Sequence, residues 1–209
     1  MSPWERLDEL LRTRIAQHLA GFARVELGRP GLTPAAVAVT LVPGVDGEPA
    51  FLLTRRVLTL SRHGGQFALP GGRLDPGEDA HAAARRELAE ELGVTLSGDR
   101  VLGRLDDFAT RSGFVITPVV LWGPDVRELA PNPEEVALAY RVPLAELYRP
   151  DIPFLHHIEG SESPVLSLPL VGTEVYTPTA AIIYQFRELA LEGRTTRVHH
   201  FEQPRFAWR

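Results

Sequence analysis

Gly72-Arg73-Leu74-Asp75-Pro76-Gly77-Glu78 is followed, after seven intervening residues, by Arg86-Glu87-Leu88-Ala89-Glu90-Glu91-Leu92-Gly93-Val94. Residues 78–92 contain neither glycine nor proline and are rich in Ala, Leu, Glu and Arg, which lose little rotamer freedom in a helix. The spacing therefore predicts a helix over Glu78–Leu92, stopped by Gly93 as its C-cap. At 100° per residue, Glu87, Glu90 and Glu91 fall within an arc of about 100°, so three carboxylates share one face. Like charges so placed repel, and a cation is expected among them. Hard oxygen donors in that number suit Mg²⁺ or Mn²⁺. The adjoining arc carries Ala84, Leu88 and Leu92, which would dock the helix on a core. Pro70-Gly71-Gly72 lets backbone approach a ligand closely, and its carbonyls could join the carboxylates as donors. Arg86 is placed to hold Glu78 if the loop folds back over the helix.

Elements on either side extend the pattern. Trp4, Leu7, Leu11, Ile15 and Leu19 recur at helical spacing behind Ser2, Pro3 and Glu5, a capping-box start. Gly28-Arg29-Pro30-Gly31 reads as a linker. Ala35–Val42 and Ala50–Arg56 read as a hairpin around Pro43-Gly44-Val45-Asp46-Gly47. Further strands are predicted at Val101–Asp106, Phe114–Leu121 and Val136–Val142. A second long helix is predicted from Pro178, as first helical residue, to Gly193. Strands before, between and after helices indicate an α/β layered protein. One domain is expected over residues 1–209, with an N-terminal amphipathic helix and linker in 1–30 and a C-terminal tail in 194–209.

Composition excludes several chemistries. Of the 209 residues none is cysteine, and all 22 of the Lys+Arg total are arginine. Disulfides, thiolate nucleophiles, Cys-ligated metals, a Walker-A lysine and Schiff-base chemistry are thereby removed. A net charge of −5 argues against a general nucleic-acid or anionic-membrane binder. No apolar run is long enough to span a bilayer, and Glu5, Asp8 and Glu9 are unlike a targeting peptide, so a cytoplasmic protein is expected. His156-His157 and His199-His200 lack metal-site spacing and read as surface histidines.

The spacing G-x5-E-x7-R-E-U-x-E-E-x-G-U, with U bulky and aliphatic, is that of the Nudix box. Gly72, Glu78, Arg86, Glu87, Leu88, Glu90, Glu91, Gly93 and Val94 match it, nine specified positions over 23 residues. The resemblance implies an α/β/α sandwich with a mixed β-sheet, in which the box forms a catalytic loop-helix-loop. It implies divalent-metal-dependent hydrolysis of a nucleoside diphosphate linked to another moiety. By that resemblance Glu87, Glu90 and Glu91 ligate Mg²⁺ (or Mn²⁺) with the Gly72 carbonyl, while Glu78 and Arg86 brace the loop. A small-molecule nucleotide is then the partner, and a homodimer is a family-level expectation. The box does not name the base that deprotonates the attacking water. Outside it, Glu134 and Glu135 in Pro131-Asn132-Pro133-Glu134-Glu135-Val136 are the nearest candidates, and Glu135 is taken as the catalytic one.

Leu52-Leu53-Thr54-Arg55-Arg56, then His63, Gly65, Gln66 and Pro70-Gly71-Gly72, resemble the segment preceding the box in coenzyme A pyrophosphatases. So does Thr110-Arg111-Ser112-Gly113-Phe114-Val115-Ile116-Thr117-Pro118-Val119-Val120. Val57, Ser61 and Leu69 depart from that motif, with Arg62 one place along from its second arginine. On an alternating strand Arg55 and Arg56 face opposite ways, and the resemblance selects Arg56 for the site. Arg56, Arg62 and Gly71 are the expected substrate contacts, guanidinium forks being suited to phosphate oxygens. The alternatives are a diphosphatase for ADP-ribose or another nucleoside-diphosphate sugar, and a non-catalytic regulatory module that binds a nucleotide. The tail, with Phe206 and Trp208, is expected to cover apolar surface.

Overall fold

The structure, a computed structural model, describes residues 6–28, 30–58 and 64–208. Its elements are α1 (Glu9–Ala20), β1 (Thr33–Pro43), β2 (Pro49–Arg56), β3 (Phe67–Ala68), β4 (Gly71–Arg73), α2 (Ala80–Leu92), β5 (Val101–Arg104), β6 (Phe108–Ala109), β7 (Phe114–Trp122), β8 (Val136–Pro143), β9 (Phe154–His156), β10 (Val165–Leu170), β11 (Thr173–Tyr176) and α3 (Thr179–Gln185). β3, β2, β1, β7 and β5 lie side by side in that order. β4 is added to β1, β6 to β7 and β8 to β2. β1 and β7 run parallel, Ala35 opposite Ile116 and Leu41 opposite Trp122, whereas the pairings of β1 with β2 and of β2 with β8 are antiparallel. The sheet is therefore mixed.

Period-two alternation sorts its side chains into two layers. Ala36, Ala38, Val42, Ala50, Leu52, Val119 and Leu121 pack with Ala83, Ala84, Leu88 and Leu92 of α2. Val39, Leu41, Phe51, Leu53, Val120 and Trp122 pack on the other face with Leu11, Ile15 and Leu19 of α1 and with Ile182, Ile183 and Phe186. Helices thus cover both faces, the α/β/α arrangement. At roughly 1.5–3 kcal/mol for each fully buried large aliphatic or aromatic side chain, these layers supply the main stabilising term.

Helix boundaries differ from the expectation where a better cap exists. α2 starts at Ala80 and not Glu78, because the Asp79 carboxylate accepts the Ala82 N–H at 2.8 Å. Glu78 instead accepts the Asp75 N–H at 2.9 Å and closes the loop. α1 begins at Glu9, capped by Asp8 accepting from the Leu11 N–H at 3.0 Å. The Ser2, Pro3, Trp4 and Glu5 of the expected start lie outside the described residues. Pro178 caps α3 from outside and is not its first residue, and the helix continues as a π-helical stretch, Phe186–Leu191, stopped by Gly193 at φ 69°. β5 ends at Arg104, two residues early, because Asp106 and Asp107 turn away to hold the segment after α1. Asp106 Oδ1 accepts the Val25 N–H at 2.6 Å and Asp107 Oδ2 the Leu27 N–H at 2.9 Å.

A second sheet, β11-β10-β9, is not among the strands that the sequence predicts. Its strands are short, and Pro164, Pro169 and Gly172 interrupt the alternation that would announce them. No helix among the described residues is long and apolar enough to cross a membrane.

Candidate active site

Arg86 is the hub of the loop-helix-loop. Its Nε and Nη2 donate to the two Glu78 carboxylate oxygens, each at 3.0 Å, Nη1 donates to Glu87 Oε1 at 2.8 Å and Glu90 Oε2 at 2.9 Å, and Nη2 also reaches the Arg73 carbonyl at 2.9 Å. A planar guanidinium can engage this many acceptors at once, whereas an ammonium cannot. These bonds tie Glu78, at the end of the loop, to Arg86 on the helix. Arg86 holds the Glu78 carboxyl below the usual carboxylate range, and the surrounding carboxylates raise the guanidinium further.

Glu91 sits deeper. Its side chain is 2% exposed, Oε1 has no hydrogen-bond partner among the described residues, and the nearest cation is Arg56 Nη1 at 3.6 Å. Burial pushes its carboxyl up to about 7, against the opposing effects of Arg56 and a Gly71 backbone hydrogen bond and reinforced by the charges of Glu87 and Glu135. Glu87 is raised as well, again chiefly by burial, with Arg86 opposing and Glu90 and Glu135 adding to it. A buried carboxylate oxygen that accepts no hydrogen bond and resists ionisation favours added positive charge beside it. Glu135 belongs to the same field, since its charge acts on both Glu87 and Glu91. Glu134 is exposed.

Gly71 and Gly72 press against this cluster. A Cβ on Gly72 would lie 2.2 Å from Glu87 Oε1, and one on Gly71 would lie 2.4 Å from the Ala36 carbonyl oxygen and 2.8 Å from Val37 Cα. The second clash is with sheet backbone, which cannot move aside. Gly71→Ala is therefore expected to destabilise the fold by about 1–3 kcal/mol, read as a lower urea midpoint at unchanged slope. An unchanged midpoint would contradict the close approach.

Beside the carboxylates lies a cavity of about 260 Å³. Arg56 and Gly71 line it, with Phe67, Phe114, Ile116 and Ile182 as apolar walls and Gln66, Thr110, Ser112 and Gln203 as polar ones. A second cavity, about 250 Å³, shares Gln66, Phe67, Pro178 and Thr179 with the first and is lined by Arg55. Strict alternation predicted that only one of the two arginines could serve the region. A register shift between Arg55 and Arg56 in the β2–β8 ladder breaks the alternation, and a bulge of this kind re-aims side chains. Both arginines consequently border neighbouring cavities.

Glu87, Glu90, Glu91, Glu135, Arg56, Gly71 and Gly72 are thus gathered in one region, while Arg62 and His63 lie outside the described residues. The carboxylates do not converge on a single point. Glu87 and Glu90 turn to Arg86, Glu91 turns to Arg56, and no cluster of three His, Asp or Glu close enough to hold a metal occurs among the described residues. The donors nevertheless fit a hard cation: a buried carboxylate oxygen that accepts no hydrogen bond among the described residues, a half-buried second carboxylate and glycine backbone pressed against it. His156 is used structurally, its Nε2 lying 2.7 Å from Ser167 Oγ. Sequence reasoning missed Phe67, Ile182 and Gln203. Only the run from Thr110 to Val120 had signalled that part of the cavity, through Thr110, Ser112, Phe114 and Ile116.

The NUDIX domain model matches residues 32–159. The uncharacterized Nudix hydrolase NudL of Cronobacter sakazakii is 37% identical over 179 residues, 81% of this chain and 91% of the relative. Its counterpart in Yersinia enterocolitica is 42% identical over 114 residues, 54% of this chain but only 58% of that relative's length. Among solved structures, a MutT/nudix family protein from Enterococcus faecalis superposes with a TM-score of 0.56 at 16% identity, covering 88% of this chain and 71% of that one, a likeness of fold. With the box, the brace and the sandwich in agreement, the chain belongs to the Nudix hydrolase family.

Proposed function

We propose that the protein is a Mg²⁺- or Mn²⁺-dependent hydrolase that splits a nucleoside diphosphate linked to a second moiety, with coenzyme A or an acylated derivative as the favoured substrate. The observation that carries this is the buried Glu91 carboxylate, whose Oε1 accepts no hydrogen bond among the described residues, next to a cavity lined by Arg56 and Gly71. Glu87, Glu90 and Glu91 would hold the cation with the Gly72 carbonyl. Such an ion neutralises diphosphate charge and lowers the pKa of bound water when present. The remaining work falls to the chain itself. Arg56 orients phosphate oxygens and Arg86 keeps the loop on the helix. Glu135, whose charge reaches Glu87 and Glu91, accepts the proton of the attacking water.

The same proposal treats residues 1–209 as one domain. Leu11 and Ile15, which precede the stretch matched by the family model, and Leu168 and Ile183, which follow it, share a core cluster with Val39 and Leu53 within it. The cavity bears on substrate size. At about 260 Å³ it falls below the roughly 300–1,000 Å³ of pockets that enclose a whole drug-sized ligand, so it suits one end of a longer molecule.

The test is a panel of coenzyme A, ADP-ribose, dinucleoside polyphosphates, NADH and nucleoside triphosphates with Mg²⁺, with products identified by mass. Cleavage of coenzyme A into a 4′-phosphopantetheine product and adenosine 3′,5′-bisphosphate is the expected result. Efficient cleavage of ADP-ribose with coenzyme A left intact would reject the coenzyme A assignment. Binding without cleavage of any member would favour the regulatory module.

A further inference from the structure

The hollow beside Arg56 continues outward along β11 and the C-terminal segment. Every residue of β11, Thr173–Tyr176, lines the second cavity, which therefore runs about 10 Å along that strand at roughly 3.3 Å per residue. Its walls hold both hydrogen-bond donors and acceptors, among them Arg55, Thr173 and Glu174. Tyr176 and Phe206 line it and also line a third cavity, of about 480 Å³, together with Ile158, Val165 and Pro204. Two of the polar residues on the third cavity are engaged by the protein: His156 Nε2 lies 2.7 Å from Ser167 Oγ, and the Arg205 guanidinium donates to the Glu159 carbonyl. The three cavities adjoin in series, the first meeting the second at Phe67 and Thr179 and the second meeting the third at Tyr176 and Phe206.

The segment that presents Phe206 is anchored just before it. Glu202 bridges to Val165 at the start of β10, its N–H donates to the Pro164 carbonyl at 2.9 Å, and its carboxylate receives Nε, at 3.2 Å, and Nη2 of Arg111. The Phe206 ring meets Tyr176 edge-on at 5.5 Å and is 57% exposed. Apolar surface held in water at the junction of two cavities gains free energy when a ligand covers it. We propose that the third cavity receives the apolar end of the substrate, an acyl chain carried on an arm that crosses the second cavity, and that Phe206 is a specificity-determining residue for that chain. The order of the walls carries the argument: a guanidinium for phosphate oxygens, then a polar channel along β11, then an apolar hollow. A sugar joined directly to the diphosphate is too short to reach the third cavity. The proposal rests on the nucleoside-diphosphate reading above and names the second moiety of that substrate.

Coenzyme A and octanoyl coenzyme A test it, because they differ only in the acyl chain. Calorimetric titration of the full chain, with a chelator present to prevent cleavage, is expected to give octanoyl coenzyme A about tenfold tighter binding, a gain that burial of about two methylene groups supplies. In Phe206→Ala the two should bind within about twofold of each other, with the melting temperature retained because the ring is already largely in water. Phe206→Leu, which keeps an apolar side chain, should keep most of the preference. In hydrolysis with Mg²⁺, kcat/KM for octanoyl coenzyme A relative to coenzyme A should fall about tenfold in Phe206→Ala. A wild type indifferent to the chain, or a folded Phe206→Ala that keeps the preference, overturns the inference. If neither compound is cleaved but the Phe206-dependent preference is found, the hydrolase reading fails and this one stands. Cleavage of coenzyme A with no preference for the chain has the opposite meaning.

Discussion

Glu91→Gln is expected to lower metal-dependent hydrolysis by on the order of 10³-fold and, in the metal-free protein, to raise stability above pH 7. Both effects come from one cause. Burial holds the Glu91 carboxyl near 7, above its ordinary 4.5, so the fold favours the neutral form. Below pH 4.5 the group is protonated whether folded or unfolded and contributes no penalty. As pH rises the unfolded chain ionises first, and the native state carries the full cost once pH passes 7, an upper limit of about 3 kcal/mol. A neutral amide of the same shape removes that cost. Melts of chelator-treated protein should therefore show E91Q gaining on wild type between pH 5 and pH 8. The charge lost is the one a cation uses, and several kcal/mol of transition-state stabilisation correspond to the expected fall in rate. Wild-type metal affinity should climb with pH until about 7 and then level off, as protons cease to compete. Undiminished turnover in E91Q would remove Glu91 from the metal site, and an E91Q that is no more stable than wild type at pH 8 would refute the buried-charge account.

Arg86→Ala carries the second large effect, a loss of about 2–4 kcal/mol in denaturant unfolding. The substitution deletes five hydrogen bonds and leaves Glu78, Glu87 and Glu90 facing one another without their shared cation. The lower part of that range applies because Arg86 retains some solvent contact, which screens the repulsion. Arg86→Lys should recover part of the stability through charge alone but not the fork that spans Glu78 and the helix carboxylates. Added salt should narrow the gap between R86A and wild type, since what remains is like-charge repulsion. A midpoint for R86A within experimental error of wild type would show that the loop is held by other means.

The local elements of the site were legible because they depend on residues close in sequence. Glu87, Glu90 and Glu91 share a face through helical periodicity, and Gly93 stops the helix at φ 69°, a conformation that glycine adopts without strain. Boundaries were less legible, as Asp79 and Asp8 show, because several polar residues compete for one cap and the better-placed oxygen wins. The sheet of β9, β10 and β11 carries no clear signal in the sequence because prolines and a glycine interrupt its alternation, and its stability comes from pairing between strands.

What the order of residues settles for this protein is the family signature, the acidic face of α2, the brace from Glu78 to Arg86 and the strands that carry them. Tertiary packing settles which of those groups is buried and what stands opposite. Glu91 acquires its raised pKa only because β1, β4 and α2 close around it, and Arg56 reaches it only from β2, across the bulge in the ladder. Arg111 and Glu202 meet over 91 residues of chain to bring Gln203 to the cavity. Spacing along a helix reports neighbours within a turn. Desolvation and charge coupling depend on every element that excludes water from a point, and that is fixed only when the sheet and both helical layers are assembled.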